Sequence, residues 1–218
     1  MVKYTSQVSL LTFWCQPTTA QLAIVPTYAA EGKDVILRIR NKPPDSEGFV
    51  WYKGEGASNK RVIEYYERDI RRHIKGPKSS GREEINFDGS LLIKKVSKSD
   101  AGIYTVVVFL PDPKKEIGFG RLTVYEPVIM ATLVASNTTV RENKDTVVFT
   151  CKTNGLFIHW LFNGMNLHLR DPVKVSADQR RLTIDPVKRE DAGIYQCEVS
   201  NPIRSTESWP LRLNVKSE

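Results

Sequence analysis

The sequence predicts an all-β protein of two sandwiches in tandem, and three observations carry that expectation. The first is a repeat. Leu91, Ile93, Val96, Asp100, Ala101, Gly102, Ile103 and Tyr104 recur as Leu182, Ile184, Val187, Asp191, Ala192, Gly193, Ile194 and Tyr195, each pair 91 residues apart. A period of that length is a whole domain, too long for one solenoid unit. The second is what the repeated segment encodes: alternating apolar residues that suit a strand, a polar corner, then Asp-x-Gly-x-Tyr opening the next strand. The third is the placing of Cys151 and Cys197, with Trp160 between them and Tyr195 two residues before the second cysteine.

Together these are the marks of the immunoglobulin sandwich. Its two core cysteines bridge strands B and F over a buried tryptophan, and the corner tyrosine bonds back to the chain just upstream. A metal or redox reading of Cys151 and Cys197 lacks both close spacing and a histidine cluster. The expected bridge closes a long loop, which restricts the unfolded chain and so favours the folded one.

At 218 residues the chain suits two domains of about 100 residues each. Residues 1–20 read as a removable leader, with Lys3 as the positive start, an apolar run from Val8 to Cys15, and Thr18-Thr19-Ala20 as small residues before a cut. The alternative is a disordered tail. Cleavage would remove Cys15 and leave an even pair of cysteines, as a secreted disulfide framework requires.

Residues 21–126 form the first domain. Strand B is expected around Gly32–Ile39, C around Phe49–Tyr52 and C′ over Val62–Tyr65. D and E are expected over 82–87 and 90–96, joined by Asp88-Gly89, with F over Tyr104–Leu110 and G over Phe119–Tyr125. The long stretch between Trp51 and Arg82 leaves room for C′ and C″, so this domain is expected to be variable-type. Ile39 and Val106 stand where its two cysteines would be, and packing alone must fill that volume. Arg82 at the start of D and Asp100 at the E–F corner are expected to meet as an Arg–carboxylate pair.

Residues 127–218 form the second domain, expected to be constant- or intermediate-type because little chain separates the Asn163-Gly164 turn from Leu182. The linker Tyr125-Glu126-Pro127 is short, and its proline restricts it.

Strand alternation sorts the faces of the first domain. With Trp51 inward, Val50 and Tyr52 point out; with Val106 inward, Thr105, Val107 and Phe109 point out; with Leu122 inward, Phe119 and Arg121 point out. The same alternation assigns Arg61, Ile63 and Tyr65 outward on C′. The G-F-C-C′ sheet is therefore expected to present an apolar, aromatic wall of the kind that marks an interface. A second candidate is the basic run Arg68, Arg71, Arg72, Lys75 and Lys78, which could hold a sulfated glycosaminoglycan by charge.

Other chemistries are excluded or unsupported. The formal charge of +7 divides as +1 before residue 21, +4 over 21–126 and +2 over 127–218, too even a spread for a dedicated nucleic-acid binder. No stretch approaches the roughly 20 apolar residues needed to span a bilayer. His73, His159 and His168 accompany no nucleophile motif, no metal-ligand spacing is present, and no phosphate-cradling loop occurs. Neither catalysis nor a cofactor is expected. One glycosylation acceptor is present, Asn137-Thr138-Thr139; Asn201-Pro202 fails because proline blocks the motif.

The chain resembles the carcinoembryonic antigen-related adhesion molecules and pregnancy-specific glycoproteins. The resemblance rests on Leu10-Leu11-Thr12-Phe13-Trp14, Ala30-Glu31-Gly32-Lys33-Asp34-Val35, Trp51-Tyr52-Lys53-Gly54-Glu55, Ser80-Gly81-Arg82-Glu83 and Asp100-Ala101-Gly102-Ile103-Tyr104-Thr105. In the second domain it rests on Val148-Phe149-Thr150-Cys151 and Tyr195-Gln196-Cys197-Glu198. It implies a variable-like domain without a disulfide followed by a bridged constant-like domain, with Arg82–Asp100 as a structural salt bridge. It further implies a glycoprotein, secreted or on the extracellular side of the cell surface. Such a protein binds cell-surface or secreted proteins, itself among them, through one sheet of the first domain. The alternative expectation is a secreted ligand or matrix factor held by glycosaminoglycan through residues 68–78.

Overall fold

The computed structural model describes residues 20–56, 61–66 and 72–217. The leader-like segment and its Cys15 lie outside them. In the first half of the chain the strands are β1 (Ala23–Ile24), β2 (Thr27–Ala30), β3 (Val35–Leu37), β4 (Ile39–Arg40), β5 (Gly48–Lys53) and β6 (Arg61–Tyr66). They continue with β7 (Arg72–Lys75), β8 (Glu83–Ile85), β9 (Leu91–Ile93), β10 (Gly102–Phe109) and β11 (Lys115–Tyr125). One sheet runs β2-β11-β10-β5-β6-β7 and the facing one β3-β9-β8, with β1 paired to β4 at its margin. This is a variable-type arrangement, with β6 and β7 as C′ and C″. Trp51, Leu37, Leu91, Val96, Val106 and Val108 lose all solvent contact between the sheets, and Ile39 packs against them.

The Gly118-Phe119-Gly120 sequence has a steric origin. A Cβ on Gly120 would lie 2.4 Å from the Ile24 carbonyl oxygen. Strand β1 therefore presses against the inner side of β11 at a distance only glycine allows.

The second sandwich holds β12 (Thr132–Ala135), β13 (Thr139–Arg141), β14 (Val147–Lys152), β15 (Phe157–Phe162) and β16 (Met165–Asn166). It is completed by β17 (Val173–Val175), β18 (Arg181–Ile184), β19 (Gly193–Ser200), β20 (Ser205–Glu207) and β21 (Leu211–Lys216). Its sheets run β12-β14-β18-β17 and β13-β21-β19-β15-β16, with β20 beside β19. Cys151 on β14 is bonded to Cys197 on β19 across the core. Trp160 packs in the same core and donates its Nε1–H to the Gln179 carbonyl at 2.9 Å.

Both halves use the repeated corner in the same way. The Tyr104 hydroxyl donates to the Asp100 carbonyl at 2.9 Å, and the Tyr195 hydroxyl to the Asp191 carbonyl at 2.8 Å. Arg82 donates to Asp100 Oδ1 at 2.8 Å and to the carbonyls of Lys94 and Lys95. In the second half Arg170 reaches both Asp191 and Glu190 at 2.7 Å. Both sandwiches also pair their early strand parallel to their last, β2 with β11 and β13 with β21.

The linker is held from both sides. Lys98, at the corner of the first sandwich, pairs with Glu126. Asn201 donates to the Glu126 carbonyl at 2.9 Å and Asn154 to the Pro127 carbonyl at 3.0 Å.

Candidate functional site: the outer face of the first-domain sheet

The outward face follows from the strand registers. Trp51 and Val106 lie opposite one another and belong to the inter-sheet core. The next row, Val50–Val107–Ile117, therefore faces out, as does Tyr52–Thr105–Phe119, and Arg121 follows Phe119 on the same side. Along that face the side chains differ in what solvent reaches. Phe119 is 45% exposed and Ile117 37%. Arg121 is exposed, and Tyr52 and Phe109 are half-buried.

Five residues assigned to an open wall do not stand open. Val50, Thr105 and Val107 have the outward phase but are buried. Val50 and Val107 sit in central strands and are absent from the inter-sheet core, so their burial is on the outer side. For Thr105 the cause is visible: its hydroxyl donates to the Gly54 carbonyl at 2.7 Å and accepts from Gly56 N–H at 3.1 Å. The turn after β5 is thereby strapped onto β10. Gly54 N–H also donates to the Ile103 carbonyl, and both glycines adopt positive φ, 100° and 82°, a backbone state with little steric cost only for glycine.

Ile63 and Tyr65 are a correction of phase. Both are buried members of the inter-sheet core, at 1% and 5% exposure. Trp51 lies opposite Ile63, yet its neighbour Tyr52 lies opposite Arg61, so Val62 is an extra residue and the ladder shifts there. A bulge of this kind breaks the period of two. Arg61 and Glu64 consequently share the outer face and pair at 2.9 Å, while Ile63 and Tyr65 turn inward.

The turn and the sheet together form a groove of about 690 Å³, lined by Glu55, Gly56, Ile103, Phe119, Gly120 and Arg121. Alternation read one step further back along β11 reaches Ile117. The aromatic pair Tyr28–Tyr125, centroids 6.2 Å apart, extends the face toward β2. Its presence depends on the parallel β2–β11 register, for which the sequence carries no local signal. The Arg170–Asp191 pair is likewise missed by the repeat, because Arg170 does not lie 91 residues after Arg82.

The other candidate residues fall as follows. Arg68 and Arg71 lie outside the described residues; Arg72 and Lys75 belong to β7, and Lys75 and Lys78 are exposed. Asn137 is exposed, and its side-chain oxygen accepts from Thr139 N–H at 3.0 Å, forming a tight turn before β13. Among the described residues no group of three metal-ligating side chains converges, and no helix is long and apolar enough to cross a membrane.

Residues 25–125 match the immunoglobulin V-set domain and residues 126–201 an immunoglobulin domain. The crystal structure of murine CEACAM1b superimposes with a TM-score of 0.79 at 36% identity, over 90% of this chain and 99% of that one. The chain belongs to the carcinoembryonic antigen-related cell adhesion molecule family. Other members at similar distance are pregnancy-specific glycoprotein 22 of Mus musculus, 39% identical over 196 residues, and the cell adhesion molecule CEACAM5 of Mus musculus, 41% identical over 205 residues. This CEACAM-family chain spans 41% and 22% of the lengths of those two relatives. A murine receptor solved in complex with a mouse coronavirus receptor-binding domain is also similar, with a TM-score of 0.78 at 35% identity over 90% of this chain and 99% of that one. Family membership makes the chain an extracellular protein, secreted or at the cell surface.

Proposed function

We propose that this chain is a recognition and adhesion protein that docks another protein on the outer face of its first-domain sheet. The observation that carries the reading is the exposure of Phe119 and Ile117 on that face, beside a groove rimmed by Glu55 and Arg121. Apolar and aromatic side chains clustered on a rigid sheet, with charges at the margin, have the composition of an interface centre and its rim. The six strands hold them in place before any partner arrives, which lowers the ordering cost of association. A related receptor that binds a viral protein supports the use of such domains for protein partners. In the second domain, exposed Asn137 is the proposed glycan attachment point.

Phe119→Arg tests the face. The chain is immobilised, and the ectodomain of mouse CEACAM5 and the chain itself are passed over it. The substitution is expected to weaken binding at least about tenfold, the scale of a hot-spot loss. Phe119 lies on the surface, so the melting temperature should move by no more than about 2 °C. Undiminished binding by a folded variant would overturn the reading.

A further inference from the structure

The groove beside Phe119 carries one charge of each sign. Glu55 and Arg121 line it from opposite elements, the turn after β5 and strand β11, and both are exposed. Among the described residues neither takes part in an ion pair. The neighbouring charges are engaged: Arg61 with Glu64 at 2.9 Å, and Lys53 with the Ser99 carbonyl. An apolar ring with one free anion and one free cation at its sides is self-complementary. A two-fold axis through such a patch sets each charge of one copy against the opposite charge of the other.

We infer that the groove takes a second copy of this chain, with Glu55 of each copy crossing to Arg121 of its mate and Phe119 buried between them. This rests on the docking face proposed above and names its occupant and its register. A partner of unrelated surface would be met by a patch biased to one sign; two balanced, unengaged charges suit an isologous pairing. The charged pair fixes which of several sliding positions on a flat sheet is adopted, and wrong registers bring like charges together.

Sedimentation equilibrium of the whole chain tests it, with Glu55→Arg, Arg121→Glu and the double variant. The wild type is expected to dimerise. Each single variant, which juxtaposes like charges, should dimerise roughly tenfold more weakly. The double variant should return to within about threefold of wild type, because the reversed pair is again complementary. An equimolar mixture of the two single variants should associate more tightly than either alone, since each then meets its opposite. Added salt should weaken wild type and double variant alike. A wild type that stays monomeric overturns the second copy as occupant, while capture of the CEACAM5 ectodomain in the preceding assay would leave the face itself standing. Dimerisation that Phe119→Arg abolishes but the charge reversals leave unmoved overturns the crossed pair.

Discussion

Replacing Cys151 with alanine and Cys197 with valine is expected to lower the stability of the second sandwich by about 4 kcal/mol. The bridge joins residues 46 apart in sequence. Opening it restores the loop-closure entropy of the unfolded chain. It also leaves a site in a fully buried core where Phe149 stacks on Tyr195 with ring centroids 4.3 Å apart. The first sandwich carries no such bridge, and its core should be indifferent to the change. Denaturant unfolding followed by the fluorescence of Trp51 and Trp160 separates the two. An early transition for the second domain with the first unmoved is the expected result. A loss below about 1 kcal/mol would mean that burial alone secures this core.

Asp100→Ala should cost the first sandwich about 2–4 kcal/mol, the scale for breaking a charged, largely buried hydrogen-bond network. The Asp100 side chain is only 10% exposed. It accepts from Arg82 at 2.8 Å and from Ser97 N–H at 2.8 Å and hydroxyl at 3.0 Å. Burial alone would raise its pKa; the Arg82 hydrogen bond and the Ser97 donors outweigh that and hold it below the usual carboxylate value. Glu83 follows the same pattern. Burial would raise it, but donors from Ser79, Ser80 and Gly81 close around the carboxylate and lower it. Carboxylates with depressed folded-state pKa values stabilise fully above the unfolded values of about 4, and that contribution is lost as pH falls through the folded values. The wild-type first domain should therefore lose stability progressively below about pH 4, and Asp100→Asn should flatten the slope there. Thermal melts from pH 6 to pH 2 check both points. An unchanged slope would remove Asp100 from the acid response.

The sandwich and its corners are legible because they rest on local, repeated chemistry. Asp-x-Gly-x-Tyr needs only its own neighbours to form the Tyr104–Asp100 bond, and Trp51 and Trp160 mark the inward phase of their strands. The candidate face is less so. Alternation holds on β5, β10 and β11 but fails on β6, where Val62 is an extra residue in the ladder and reverses Ile63 and Tyr65. No residue type in Arg61–Tyr66 announces that bulge; it exists because of the pairing with β5. Phase also says nothing about cover. Val107 points outward and is still 3% exposed, and Thr105 is hidden by a glycine turn folded over it. The groove beside Phe119 is a product of that turn.

The parallel pairing of β2 with β11 and of β13 with β21 has a mechanical consequence. In each sandwich, tension applied through the chain draws an early strand and the last strand toward opposite poles. Their evenly spaced ladder bonds are then strained side by side, and the strands cannot peel apart one bond at a time. Resistance of this kind is governed by the height of the unfolding barrier. Extension of single molecules should accordingly give abrupt, separate ruptures for the two sandwiches; a gradual unravelling at low load would contradict it.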